Sequence, residues 1–313
     1  MNNVASLWQL IERGRKGENF GASTGLPKLD KIIGGIQQSR YYTISSVSSG
    51  GKTALVLYMM YNMLRNMTKE KPVYFLYFSL ELSADVLLAK LMGLYCAEEF
   101  GVYLTLNDIM SFESILSDEM YEHLKKAKTW LDSISKHIII LDKSLSAKSF
   151  YSETLKFVEQ YGSFEQIEGR TVYIPNNPKQ LMIGVVDHCS LCVAQEGRKL
   201  KEEMDLISSY AVTLKRRCLI SWFMLMQQNR DASSVERRKL DLSEPGLNDL
   251  KDLNQYWKFI TNTCKTKTYL LTLWKINKYE KNNNWLWNNE ISRAKRIDTR
   301  GTYTILWCKL INN

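Results

Sequence analysis

The stretch "TISSVSSGGKTALVLYMM", Thr43–Met60, decides how the chain folds. An apolar run ends in small residues, the chain turns on Gly50 and Gly51, and a lysine and a threonine open a pattern of helical period. A glycine-rich turn between a strand and a helix aims backbone N–H groups and the positive end of the helix at one point, so it suits an anion. The spacing fits G-x-x-x-x-G-K-[ST], in which the lysine reaches the β- and γ-phosphates of a nucleotide and the hydroxyl ligates Mg²⁺. Gly51, Lys52 and Thr53 fill the last three positions, Ser46 stands where the first glycine is usual, and Ser49 and Gly50 lie within the turn. A small residue still fits the first position, and Gly50 adds backbone freedom. Ser46, Ser49, Gly50, Gly51, Lys52 and Thr53 are therefore the candidate nucleotide-binding set, with ATP and Mg²⁺ as the expected ligands.

Working outward, short apolar runs recur in "YYTIS", "PVYFLYFSL", "HIIIL", "LMIGVVD" and "CLISWFMLM", separated by helical patterns such as "ETLKFVEQY" and "MDLISSYAVTLKRR". Runs apolar at every position suit strands buried on both faces, and their alternation with helices predicts an α/β fold with a mainly parallel central sheet flanked by helices. The segment Glu168–Gln180, "EGRTVYIPNNPKQ", reads as a surface excursion before the next core strand, and the asparagine-rich "KYEKNNNWLWNNE" as an exposed loop. Near the start, Val4, Leu7, Trp8 and Ile11 fall on one face of a short helix. That face packs either on its own domain or on a neighbouring subunit. The expected division is residues 1–20 as a linker or docking helix and 21–313 as one catalytic domain.

With 45% apolar and 24% charged residues the composition is that of a globular protein, not a disordered one. No apolar run reaches the roughly 20 residues needed to span a bilayer, and the N-terminus lacks the apolar centre of a signal peptide, so a cytoplasmic protein without a membrane partner is expected. Cys189 and Cys192 have no second pair to complete a zinc site and read as small buried thiols. The formal charge of +9 favours a polyanionic partner.

A carboxylate that holds Mg²⁺ through water belongs at the end of a later buried strand, and Asp187, closing "LMIGVVD", meets that description. His188 follows it where an acid would activate water, so the activating carboxylate comes from elsewhere. Glu81 in "FSLEL" is well placed, although a glutamate there also suits the start of a helix.

In order along the chain these residues resemble the RecA-like core of DnaB-type replicative helicases, from about Ser23 to about Trp307. The family's opening signature is matched by "TGLPKLDKIIGG", Thr24–Gly35, its catalytic-glutamate segment by "FSLEL" and its aspartate strand by "VDHCSL". Its γ-phosphate-sensing glutamine falls on Gln227 of "MQQNR", its DNA-facing loop on "DLKDLN", Asp249–Asn254, and its nucleotide-reaching arginine element on "AKRIDTRG". The resemblance implies an ATPase in which Lys52, Glu81, Gln227 and Arg296 are catalytic, Lys295 joins the nucleotide site, and Thr53 and Asp187 hold the metal. Arg296 would act on the adjacent subunit of a hexameric ring.

The same resemblance implies that single-stranded DNA or a forked duplex is bound by Lys251, Asp252, Arg230, Arg237 and Arg238. "ERRK", Glu236–Lys239, reads equally well as a solvated loop. In the DNA loop Leu253 and Asn254 replace the family's Ser-Gly, and "AKRIDTRG" lacks the inner glycine. The family's N-terminal helical domain has no counterpart in the twenty residues before the core, so its collar and its primase contact are not expected to carry over; a primase or loader is kept as a candidate partner. A recombination ATPase of the RecA or RadA type and a nucleotide-binding accessory protein or loader are the alternative readings.

Overall fold

The computed structural model describes residues 3–46, 50–227, 268–276, 293–297 and 303–311. In chain order these are α1 (Asn3–Arg15), α2 (Pro27–Ile33), β1 (Tyr41–Ser46), α3 (Lys52–Asn66), β2 (Val73–Ser79), α4 (Ala84–Phe100), α5 (Leu106–Ile109), α6 (Asp118–Ile134), β3 (Ile138–Leu141), α7 (Ala147–Glu159), β4 (Gly162–Ile167), β5 (Arg170–Pro175), β6 (Leu181–Asp187), α8 (Leu200–Cys218), β7 (Ser221–Gln227), β8 (Thr268–Ile276), β9 (Arg293–Ile297) and β10 (Tyr303–Ile311).

Eight of the strands form one sheet in the order β3-β2-β6-β7-β1-β8-β10-β9. Every neighbouring pair is parallel except β10 with β9. The apolar runs are strands because both faces are covered. On β7, Trp222, Met224 and Met226 enter the core beneath α7 and α8, while Phe223 and Leu225 enter the core beneath α3 and α4. On β6, Met182 and Val186 face the first core and Leu181, Ile183 and Val185 the second. Gly184 breaks that alternation of bulk: it pairs with Trp222 in register, and a Cβ there would enter the Trp222 ring. β3, at the sheet edge, is only half-buried along its length, unlike the fully covered strand its sequence suggests.

The "TGLPKLD" signature is a structural clasp. The Asp30 carboxylate accepts hydrogen bonds from Ser23 Oγ at 2.6 Å, Thr24 N at 3.0 Å and Thr24 Oγ1 at 2.7 Å, tying the entering chain to α2. Gly25 has φ +81° and a Cβ there would run into Asn62 of α3, so glycine is required on both counts. The excursion at Glu168–Gln180 contains β5, half of an antiparallel hairpin with β4. Tyr173 of the hairpin is buried and donates to the carbonyl of Val158 at 2.8 Å.

α1 carries the expected stripe but does not bury it on its own domain: Leu7, Trp8 and Ile11 are 56%, 62% and 43% exposed. Cys189 and Cys192 are free and buried, as their spacing suggests. Among the described residues no helix is long and apolar enough to cross a membrane.

Candidate nucleotide site

β1 delivers the chain to the turn at its carboxyl end, where Gly51, at φ +84°, caps α3 in the left-handed region that favours glycine. Lys52 is the first residue of the helix and is buried. Desolvation lowers its pKa, an effect opposed by attraction to Asp187 and Glu81. Ser46 ends β1 directly opposite Gln227, the last residue of β7, and Ser79 ends β2 directly opposite Asp187, the last residue of β6. The carboxyl ends of β2, β6, β7 and β1 thus bring Ser79, Asp187, Gln227 and Ser46 into a row along the edge at which open α/β sheets bind ligands.

Thr53 Oγ1 donates to Asp187 Oδ2 at 2.7 Å, and the Tyr77 hydroxyl donates to the same oxygen at 2.8 Å. Asp187 Oδ1 is buried and accepts no hydrogen bond from the described residues. Burial raises the Asp187 pKa, and the hydrogen bonds from Thr53 and Tyr77 oppose it. Burial, followed by the Asp187 charge, pushes the Tyr77 phenol well up, so it serves as a donor. A buried carboxylate oxygen without a donor, beside a helix-start hydroxyl, fits a hydrated Mg²⁺, which takes few protein ligands and relies on waters and substrate phosphates. No group of three or more His, Cys, Asp or Glu that could hold a metal ion occurs among the described residues.

The turn after β2 is held to β6 by the Leu80 N–H donating to the Asp187 carbonyl at 2.7 Å. Glu81 follows, ahead of α4 rather than inside it, and its side chain is 58% exposed toward the site mouth. His188 Nε2 lies 3.9 Å from Glu81 Oε2, and its Nδ1 is 2.6 Å from Ser190 Oγ. Desolvation lowers the His188 pKa, with Glu81 acting against it.

Ser46, Gly50, Gly51, Lys52, Thr53, Glu81, Asp187 and Gln227 therefore gather at one edge. Lys295 and Arg296 do not join them within the chain. Arg296 pairs with Thr304, which is level with Tyr269 and so with Tyr42, near the amino end of β1. β9 is three strands away from β1, so Arg296 sits about 14 Å across the sheet and about 13 Å along it from Ser46, beyond the span of one side chain. Ser49, Arg230, Arg237, Arg238, Lys251 and Asp252 lie outside the described residues. A cavity of about 620 Å³ at the opposite, amino end of the sheet, lined by Arg13, Arg40, Lys71 and Lys179 among others, contains none of the sequence-predicted site residues. Tyr77 and His188 are site residues that sequence reasoning did not assign. An apolar run does not mark which ring will reach a carboxylate on the next strand.

A Gly-Lys-Thr turn heading a helix, facing a strand-end aspartate across a mainly parallel sheet, defines a P-loop nucleotide-binding core of the RecA-like type. Residues 21–256 match the family described as DnaB-like helicase C-terminal domain, and the chain belongs to that family. The replicative DNA helicase DnaB of two Helicobacter pylori strains is 28% and 27% identical over 246 residues, 78% of this chain. The chain spans 43% of the length of those relatives. Among solved structures, one described as an ATPase domain superposes with a TM-score of 0.63 at 21% identity, covering 82% of this chain and 78% of that one. A DnaB-like replicative helicase studied with its primase gives 0.62 at 20% identity, covering 82% and 55%. At those identities the two likenesses speak to the fold.

Proposed function

We propose that the protein is an ATP-dependent DNA helicase of the DnaB type, a ring-forming translocase that unwinds duplex DNA during replication. The observation that carries this reading is the hydrogen bond from Thr53, beside the buried Lys52 at the start of α3, to Asp187, whose Oδ1 accepts none from the described residues, with Glu81 exposed nearby. Bound Mg²⁺ would supply charge neutralisation at the phosphates, held by Thr53 and, through water, by Asp187. Lys52 binds the β- and γ-phosphates and offsets charge on the transferring group. Glu81 orients the attacking water and takes its proton, and Gln227, one strand over, senses whether the γ-phosphate is present.

Arg296 completes the site of the next protomer, since its strand lies too far from its own nucleotide turn. A head-to-tail contact of this kind closes into a ring, six subunits in this reading. Lys251, Asp252, Arg230, Arg237 and Arg238 contact single-stranded DNA in the central channel, with Lys295 beside the neighbouring nucleotide. Residues 1–20 act as an arm whose exposed Leu7, Trp8 and Ile11 dock on the adjoining subunit, and residues 21–313 form the ATPase domain. A primase or a loader is a candidate protein partner, and the cytoplasm the site of action.

The test is unwinding of a forked duplex by the purified full chain with ATP and Mg²⁺, alongside ATP hydrolysis with and without single-stranded DNA. Unwinding with DNA-stimulated hydrolysis supports the reading. Strand exchange without unwinding would replace it by a recombination ATPase, and nucleotide binding without turnover by an accessory protein.

A further inference from the structure

The nucleotide edge contains a buried hydroxyl that none of the roles above uses. Tyr77 lies on β2 two residues before Ser79, which is in register with Asp187, so its ring points along the same face toward the aspartate. It is 1% exposed, and its hydroxyl donates to Asp187 Oδ2 at 2.8 Å. Thr53 donates to that same oxygen at 2.7 Å. Two donors from two different elements, one on the sheet and one on α3, converge on one carboxylate oxygen, and no described residue donates to the other.

We propose that Tyr77 is a positioning residue that fixes the rotation of the Asp187 carboxylate, so that Oδ1 is the oxygen presented to the hydration shell of the nucleotide's divalent cation. The proposal rests on the nucleotide reading above and adds to it a residue that acts through Asp187. Thr53 alone would not set the orientation: it is in the first turn of a helix whose preceding loop would accommodate a phosphate chain, and its hydroxyl would have the cation as a second partner. Tyr77 is anchored in the strand itself and has no such second task. Partners that orient a metal-binding carboxylate from behind it are typically worth about 10–100-fold in metal affinity when removed.

The experiment compares wild type with Tyr77→Phe, which keeps the ring and removes only the hydroxyl. Tyr77→Met is a second hydroxyl-free variant, flexible enough to fill the space if the first folds poorly. Binding of a fluorescent ATP analogue is followed in EDTA and then through a Mg²⁺ titration, with thermal melting confirming that each variant is folded. The expected result is unchanged binding in EDTA and a Mg²⁺ midpoint about tenfold or more higher in the variants. A folded variant with the wild-type Mg²⁺ midpoint overturns the role of Tyr77. If wild type itself shows no Mg²⁺-dependent nucleotide binding, the nucleotide reading is what fails, and the positioning role falls with it.

Discussion

Thr53 and Asp187, 134 residues apart in the chain, meet at 2.7 Å where α3 begins and β6 ends. The contact joins the glycine-lysine-threonine turn to the strand-end carboxylate. Burial raises the Asp187 pKa above its ordinary 3.8, so the folded chain holds that proton more tightly than the unfolded chain does. The associated stability is fully present below the ordinary value and is lost as pH rises through the folded one. Above that window the charged carboxylate is a cost that an amide lacks. Asp187→Asn should therefore raise the melting temperature of the nucleotide-free protein at about pH 7.5, and the gain should shrink as pH falls toward 3.8. Melting curves across that range, without nucleotide or Mg²⁺, check the sign.

Lys52 heads α3 from a buried position, where desolvation outweighs its attraction to Asp187 and Glu81, so a phosphate chain would favour its charged form further. Lys52→Ala should lower kcat/KM for ATP by at least about 10²–10³-fold, the scale on which loss of a fixed transition-state donor is felt. Steady-state hydrolysis measured together with equilibrium nucleotide binding would show both falling.

Glu81 is exposed at the mouth of the site, so replacing it disturbs no core packing. Glu81→Gln should bind ATP normally and slow the single-turnover hydrolysis rate by about 10²–10⁴-fold, the range for removing a positioned base. Equal loss of binding and turnover would mean that the residue has a structural role at the start of α4.

Much of this was legible from residues alone. The apolar runs of β1, β2, β6 and β7 could be read as doubly covered strands, and the Gly-Lys-Thr turn with Asp187 and Glu81 located the site edge. Three things were not legible. β4 is invisible because "GSFEQI" has no apolar alternation of its own and becomes a strand only against β5. The hydroxyl of Tyr77 reaches Asp187, and the ring of His188 comes near Glu81, only through strand register and a turn, neither of which is local in sequence. The partner of the α1 stripe could not be chosen from its period, because an amphipathic helix looks the same whether it packs within its own chain or on another.

The sheet also supplies a check on packing independent of catalysis. Gly184 of β6 lies under the Trp222 ring of β7, and a methyl there has no space. Gly184→Ala should cost about 1–3 kcal/mol by overpacking. At about 2–4 °C per kcal/mol for a domain of 150–250 residues, the drop would be visible in a melting curve. An unchanged melting temperature would mean that β6 and β7 are not in the register described.

The central claim is that each site is built from the nucleotide turn of one protomer and Arg296 of the next. Arg296→Ala alone should lose about 10³–10⁵-fold in turnover, the worth of an arginine supplied in trans. The most direct measurement mixes that variant with Lys52→Ala under conditions that exchange subunits, and follows DNA-stimulated ATP hydrolysis. Each variant by itself should show only its small residual rate. In an equal random mixture, about a quarter of the sites pair an intact turn with an intact arginine, so activity should return to roughly that fraction of wild type. A mixture that stays inactive while forming mixed rings would contradict the account.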